Sequence, residues 1–148
     1  ELIPGAEKVI RDLAALGYRL CLVADGPRET FENVLKPSGL WDLFEQHVIS
    51  GDVGVRKPDA RMFEVAREKM GLSQQDSAYV PMIGNNLDRD IIGANRAGHP
   101  SFFFNWNDRR RRVPEGPEDT PTLQFSTLRV LVHMLQNFEF SLTQDDKS

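Results

Sequence analysis

The sequence predicts an α/β fold in which a mainly parallel sheet is covered by helices on both faces. Short apolar runs alternate with amphipathic stretches of helical spacing along most of the chain. The apolar runs tend to close in turns holding Gly, Asn or Asp, as buried strands do. At 148 residues and 16.8 kDa, one domain with a real core is expected.

The elements follow in order. "PGAEKVIRDLAALG" places Val9, Ile10, Leu13 and Leu16 on one helical face and stops at Gly17. "YRLCLVAD" (18–25) is a strand. "RETFENVLKPSGL" puts Phe31, Val34 and Leu35 at helical spacing until Pro37 ends the pattern. "QHVIS" (46–50) is a brief strand. A helix then begins near Pro58, carries Met62, Phe63, Ala66 and Met70 on one face, and stops at Gly71. The strand "AYVPMIG" (78–84) holds Pro81 near its beginning, since proline removes a ladder donor. A helix from about Leu87 to Ala97 and the strand "SFFFN" (101–105) come next. Residues 107–121 are charged and rich in turn formers, so they read as a surface loop. Residues 122–140 close the domain with the strand "TLQF" and a helix facing Leu128, Leu131, Val132 and Leu135 inward. The final "LTQDDKS" is expected to fray.

Composition narrows the function classes. A net charge of -4 gives no global attraction to nucleic acid or anionic membrane, so neither is an expected partner and any anion site is local. No stretch approaches the roughly 18 apolar residues of a membrane span. Cys21 is the only cysteine, which excludes a disulfide framework and favours a reducing, cytoplasmic compartment.

In parallel sheets ligands gather at the carboxyl ends of strands, so three turns carry the candidate chemistry. In "VADGPRET", Asp25 and Gly26 leave an apolar strand; the bare glycine lets backbone N–H groups approach a ligand, although Asp25 could equally cap the next helix. In "VGVRKPD", Pro58 biases Lys57 towards an extended backbone and so defines its direction. A lysine there can neutralise a phosphoryl group or hold a carboxylate. "GNNLDRD" offers Asn85, Asn86, Asp88 and Asp90, hard oxygen donors suited to Mg²⁺, though acidic residues also suit any helix N-terminus.

Taken together, "PGAEKVIRDLAALGYRLCLVADG", "SGDVGVRKPDARMFEVAREKMG" and "YVPMIGNNLDRDIIGANRAG" resemble the haloacid dehalogenase-like (HAD) hydrolases, from about Ile3 to Trp106. The resemblance implies a three-layer sandwich with a Rossmann-like sheet forming one HAD-like core domain over 1–148, its motifs within 1–106. It implies an enzyme of phosphatase type, acting on a small phosphorylated metabolite with Mg²⁺ as cofactor. In that family an aspartate on the first strand forms an aspartyl-phosphate, and a second aspartate two residues later is the acid/base. Lys57 matches the charge-stabilising lysine, and Gly84 and Asp90 match the metal-binding fourth motif. By the same resemblance Lys57 and Asp90 are catalytic, Ala24, Asp25, Gly26 and Lys57 bind phosphate, and Asn85 and Asp90 hold the metal.

Three departures qualify the match. An apolar strand ending in Asp-x-Asp occurs nowhere in these residues, and the expectation is that an upstream segment supplies it mid-sheet, between the strands bearing Ala24 and Gly84. Ala24 stands where the family has Ser or Thr, and losing a hydrogen bond to a charged oxygen costs roughly 1.5–3 kcal/mol. Asn85 stands where an acidic ligand is usual, which removes one negative charge. The alternative is a weakened or inactive HAD-fold binding module. An unrelated nucleotide binder lacks support, because neither GxGxxG nor GxxxxGK[ST] occurs.

Other residues carry less. His47, His99 and His133 share no ligand spacing. Arg109 to Arg112 form a basic run that could touch phosphate or nucleic acid, but acids at 115, 118 and 119 soon follow and it reads rather as a solvated loop. Trp106 is expected in the core, or else at a substrate entrance. Asp88, Asn95 and Arg96 are expected at the surface.

Overall fold

The structure, a computed structural model, describes residues 2–145. Its elements run α1 (Ala6–Ala15), β1 (Cys21–Ala24), α2 (Arg28–Leu35), β2 (Gln46–Ile49), α3 (Ser50–Val53) and α4 (Ala60–Met70). They continue as β3 (Met82–Gly84), α5 (Ile92–Ala97), β4 (Ser101–Phe104), β5 (Leu123–Phe125) and α6 (Leu131–Asp145). All pairings among the described strands are parallel.

The single sheet expected is present as two hydrogen-bonded sets, β1–β2 and β3–β4–β5. No described strand pairs β1 with β3, so each keeps an open edge among the described residues. Side chains nevertheless weld the two sets together. Cys21 and Val23 of β1, Val48 of β2 and Met82 of β3 pack into one cluster with Met62 and Phe63 of α4 and Ala94 of α5. On the opposite face, α1 serves both sets at once. Val9 and Leu13 join Phe102, Phe104 and Phe125, while Ile10 reaches Leu22, Leu35 and Ile49. Successive strand residues point to opposite faces, so each strand feeds both helix layers. The result is three layers with a seam in the middle one.

Local differences from the sequence expectation have physical causes. The strand expected over 78–84 begins only at Met82, because Gln74–Tyr79 wind into a 3-10 turn capped by Ser73 and Asp76. Leu16 is 53% exposed rather than inward, since it follows the last turn of α1. Trp106 is 38% exposed and stacks on Phe104, outside the core. The helix of α6 continues to Asp145 instead of fraying at Leu142, and residues 146–148 lie outside the described ones. Among the described residues no helix is long and apolar enough to cross a membrane.

The 107–121 loop is pinned rather than freely solvated. Arg111 bridges Asp88 and the buried Asp119, at 2.5 Å each. The Asp119 carboxylate also accepts from the N–H groups of Glu115 and Gly116. Asn95, expected at the surface, donates to the carbonyls of Glu118 and Thr120 and accepts from Ser101 Oγ, while Arg96 pairs with Glu118. Backbone N–H donors, aided by Arg111, hold the Asp119 carboxyl down at about 2 against an ordinary 3.8. A carboxyl depressed in the folded state contributes stability in full above its ordinary value and loses it as pH falls through the folded one. The Asp119 side-chain carbon is therefore expected to titrate with a midpoint near 2 in NMR, with the loop's clamp loosening between 3.8 and that value. In Asp119→Asn, amide exchange at Glu115 and Gly116 should quicken at neutral pH.

Candidate active site

Strand ends bring the three turns together. Asp25 leaves β1, Lys57 sits on the loop after α3, and residues 85–90 follow β3. The centre is an ion pair between two buried groups: Lys57 Nζ donates to Asp90 Oδ1 at 2.6 Å and to the Val23 carbonyl at 2.8 Å. Asp90 Oδ2 accepts from the N–H groups of Asn85 and Asn86 at 3.1 and 3.2 Å. Asp25 completes the frame, its Oδ1 accepting from the backbone N–H of Lys57 at 2.9 Å. Lysine and aspartate thus come from opposite sides of the seam.

The local chain explains why Asp90 points here. After Gly84, Asn86 caps the next turn by accepting from the N–H groups of Asp88 and Arg89. The turn Leu87–Ile91 is a wide π-turn rather than an α-helix, with Ile91 N–H reaching back to Asn86 O. That opening folds the Asp90 carboxylate back over Gly84. A Cβ on Gly84 would overlap it, so this position admits only glycine.

The predicted residues divide between two hollows. Ala24, Asp25, Lys57, Asn85 and Asp90 line a cavity of about 280 Å³. Gly26 opens instead on a neighbouring depression of about 580 Å³ beside Ser50 and Arg56. Its φ of +143° is one that favours glycine, and its N–H already donates to Ser50 Oγ at 2.7 Å. Asp88 is exposed, as expected, and engaged by Arg111. The histidines stand apart from the cavity where they are buried or packed. His47 stacks on Trp41 with ring centroids 3.7 Å apart. His99 lies between Arg67 and the Val80 carbonyl, where burial pushes its pKa down. Burial likewise pushes the Cys21 thiol up to about 11.

Two charged lining residues, Arg89 and Arg110, were not among the site residues expected from the sequence. Arg89 lay inside the quoted "GNNLDRD", and its guanidinium comes within 3.6 Å of Asp25 Oδ2. Arg110 lay inside the basic run, where nothing in the sequence marks one arginine of four.

The donor chemistry suits a hard divalent cation as a partial set. Asn85 and Asp90 line the cavity, and although Lys57 and two backbone N–H groups already engage the Asp90 oxygens, Oδ1 keeps lone-pair room; Mg²⁺ commonly takes one or two carboxylates with water and phosphate filling the rest. No trio of His, Cys, Asp or Glu groups that could hold a metal occurs among the described residues.

Comparison with known proteins bears on this geometry. Residues 1–98 match the family of haloacid dehalogenase-like hydrolases. The phosphoserine phosphatase of Thermus thermophilus is 35% identical over 128 residues, covering 86% of this chain and 49% of that protein. The glyceraldehyde 3-phosphate phosphatase of Pyrococcus abyssi is 35% identical over 105 residues, covering 70% of this chain and 42% of that protein. The magnesium-bound structure of Bacillus subtilis YfnB superposes with a TM-score of 0.78 at 30% identity, over 91% of this chain and 56% of that one. The chain spans about half the length of the curated relatives it matches.

Breaking a buried ion pair from one side leaves an uncompensated charge, which costs about 3–5 kcal/mol. Lys57→Met should destabilise the protein by that order in urea unfolding. The double change Lys57→Met with Asp90→Leu should recover a large part of the loss, because no lone charge remains.

Proposed function

The chain belongs to the haloacid dehalogenase-like hydrolases, and from that premise we propose that the full-length protein is a Mg²⁺-dependent phosphatase for a small phosphorylated metabolite. The observation that carries this reading is the buried Lys57–Asp90 pair on the wall of the 280 Å³ cavity. An ammonium has three N–H donors. Two of those of Lys57 are engaged by Asp90 and Val23, which leaves one for an anionic oxygen. Those two bonds set where the third donor points, and Asp25 holds the lysine backbone in place behind it.

The resemblance of the motifs supplies the rest of the reading. An aspartate carboxylate, carried on a strand that pairs along the open edges of β1 and β3, attacks phosphorus, and the ester P–O bond breaks. A second aspartate two residues on gives its proton to the leaving alcohol, and water then hydrolyses the aspartyl-phosphate. Lys57 balances negative charge on the phosphoryl oxygens throughout. Asn85 and Asp90 would hold Mg²⁺, which when bound neutralises phosphate charge. A cytoplasmic setting, with the Cys21 thiol kept reduced, belongs to the same reading.

Ala24 and Asn85 favour a second reading, a binding module that kept the fold and lost its chemistry. The two differ in one assay on the full-length protein: Mg²⁺-dependent release of phosphate from p-nitrophenyl phosphate. Turnover that falls to background in Lys57→Ala supports the enzyme, and persistence in that variant refutes the site. Ala24→Ser restores a hydroxyl at the end of β1. It should raise kcat/KM by about tenfold to a hundredfold, the worth of one hydrogen bond to a charged oxygen.

A further inference from the structure

We propose that Arg110 makes this site selective for small molecules that carry a second anionic group, a carboxylate or another phosphate, beyond the phosphoryl group itself. The proposal rests on the phosphatase reading for the first anion; the second follows from where the 107–121 loop places its charge.

Three cations, Lys57, Arg89 and Arg110, line the cavity against two carboxylates, Asp25 and Asp90. Lys57 is paired with Asp90 at 2.6 Å, and Arg89 lies 3.6 Å from Asp25. Arg110 forms no ion pair or side-chain hydrogen bond among the described residues, so its guanidinium stands free at the rim of the cavity.

That charge is placed by its neighbours. Arg111 is gripped by Asp88 and Asp119. Arg112 Nε donates to Asn105 Oδ1 at 2.7 Å. With the next two residues both tied, the backbone at Arg110 has little freedom. Asp88 moreover belongs to the same turn as Asp90, so the loop docks onto the wall of the site itself. An unpaired guanidinium held this way presents a planar fork of N–H donors, which matches carboxylate and phosphate oxygens two at a time. A loop meant only for solubility has no need of such a tether, and one meant only to brace the fold would have its free arginine turned away from the cavity.

The test is binding to the full-length protein, measured calorimetrically with methylphosphonate, phosphonoacetate and methylenebisphosphonate. At least one of the two probes that carry a second anionic group should bind about tenfold to a hundredfold tighter than methylphosphonate. That advantage should vanish in Arg110→Ala, while methylphosphonate affinity stays within about twofold, which also shows that the variant is folded. Preference for phosphonoacetate identifies the second group as a carboxylate, and preference for the bisphosphonate identifies it as phosphate. Equal affinity for all three probes in the parent, or an advantage that survives Arg110→Ala, overturns the proposal. Absence of phosphate release from any ester, with the Arg110-dependent advantage intact, would remove the phosphatase reading and leave Arg110 as an anion anchor.

Discussion

The buried contact between Lys57 and Asp90 is the constraint from which the rest of the site follows. Its partners belong to two strand sets that share no ladder hydrogen bond, so the pair is a polar rivet across the seam. Each member is held by more than the other: the lysine by the Val23 carbonyl and by Asp25 through its backbone, the aspartate by two amides. A charge withdrawn from water needs this degree of satisfaction to be tolerated. The same satisfaction fixes direction, which a functional group needs more than it needs strength.

Apolar packing makes the rivet possible. Because α4 and α5 cover residues from β1, β2 and β3 together, the two strand sets cannot drift apart without exposing a common cluster. Helix α1 performs the corresponding task on the other face. Side chains therefore keep the strand ends in register where the backbone does not, and the loops at those ends inherit their positions from the helices.

Much of this was readable in the residues. The meeting of Lys57 with Asp90 follows from alternation and from turns that leave apolar runs, since parallel strands end along a common edge. Inward residues such as Leu13, Met62 and Phe63 follow from helical spacing. Where the reading failed, the deciding contact was remote in sequence. Nothing in "NDRRRR" tells which arginine meets Asp88 or Asp119, because that pairing is made by tertiary docking and carries no period. The tie of Asn95 to the loop went unread for the same reason, its partners lying 23 and 25 residues away. The shortened β3 has a local cause, a capped 3-10 turn that competes with extension just ahead of Pro81.

The seam has a consequence for how this stretch of polypeptide behaves in a test tube. Along β1 and β3 run main-chain groups that no described strand pairs, and such borders invite any extended segment to zip onto them. Copies of this 148-residue stretch can answer that invitation for one another. Self-association by that route would steepen with concentration and, being led by peptide groups, would yield little to added salt.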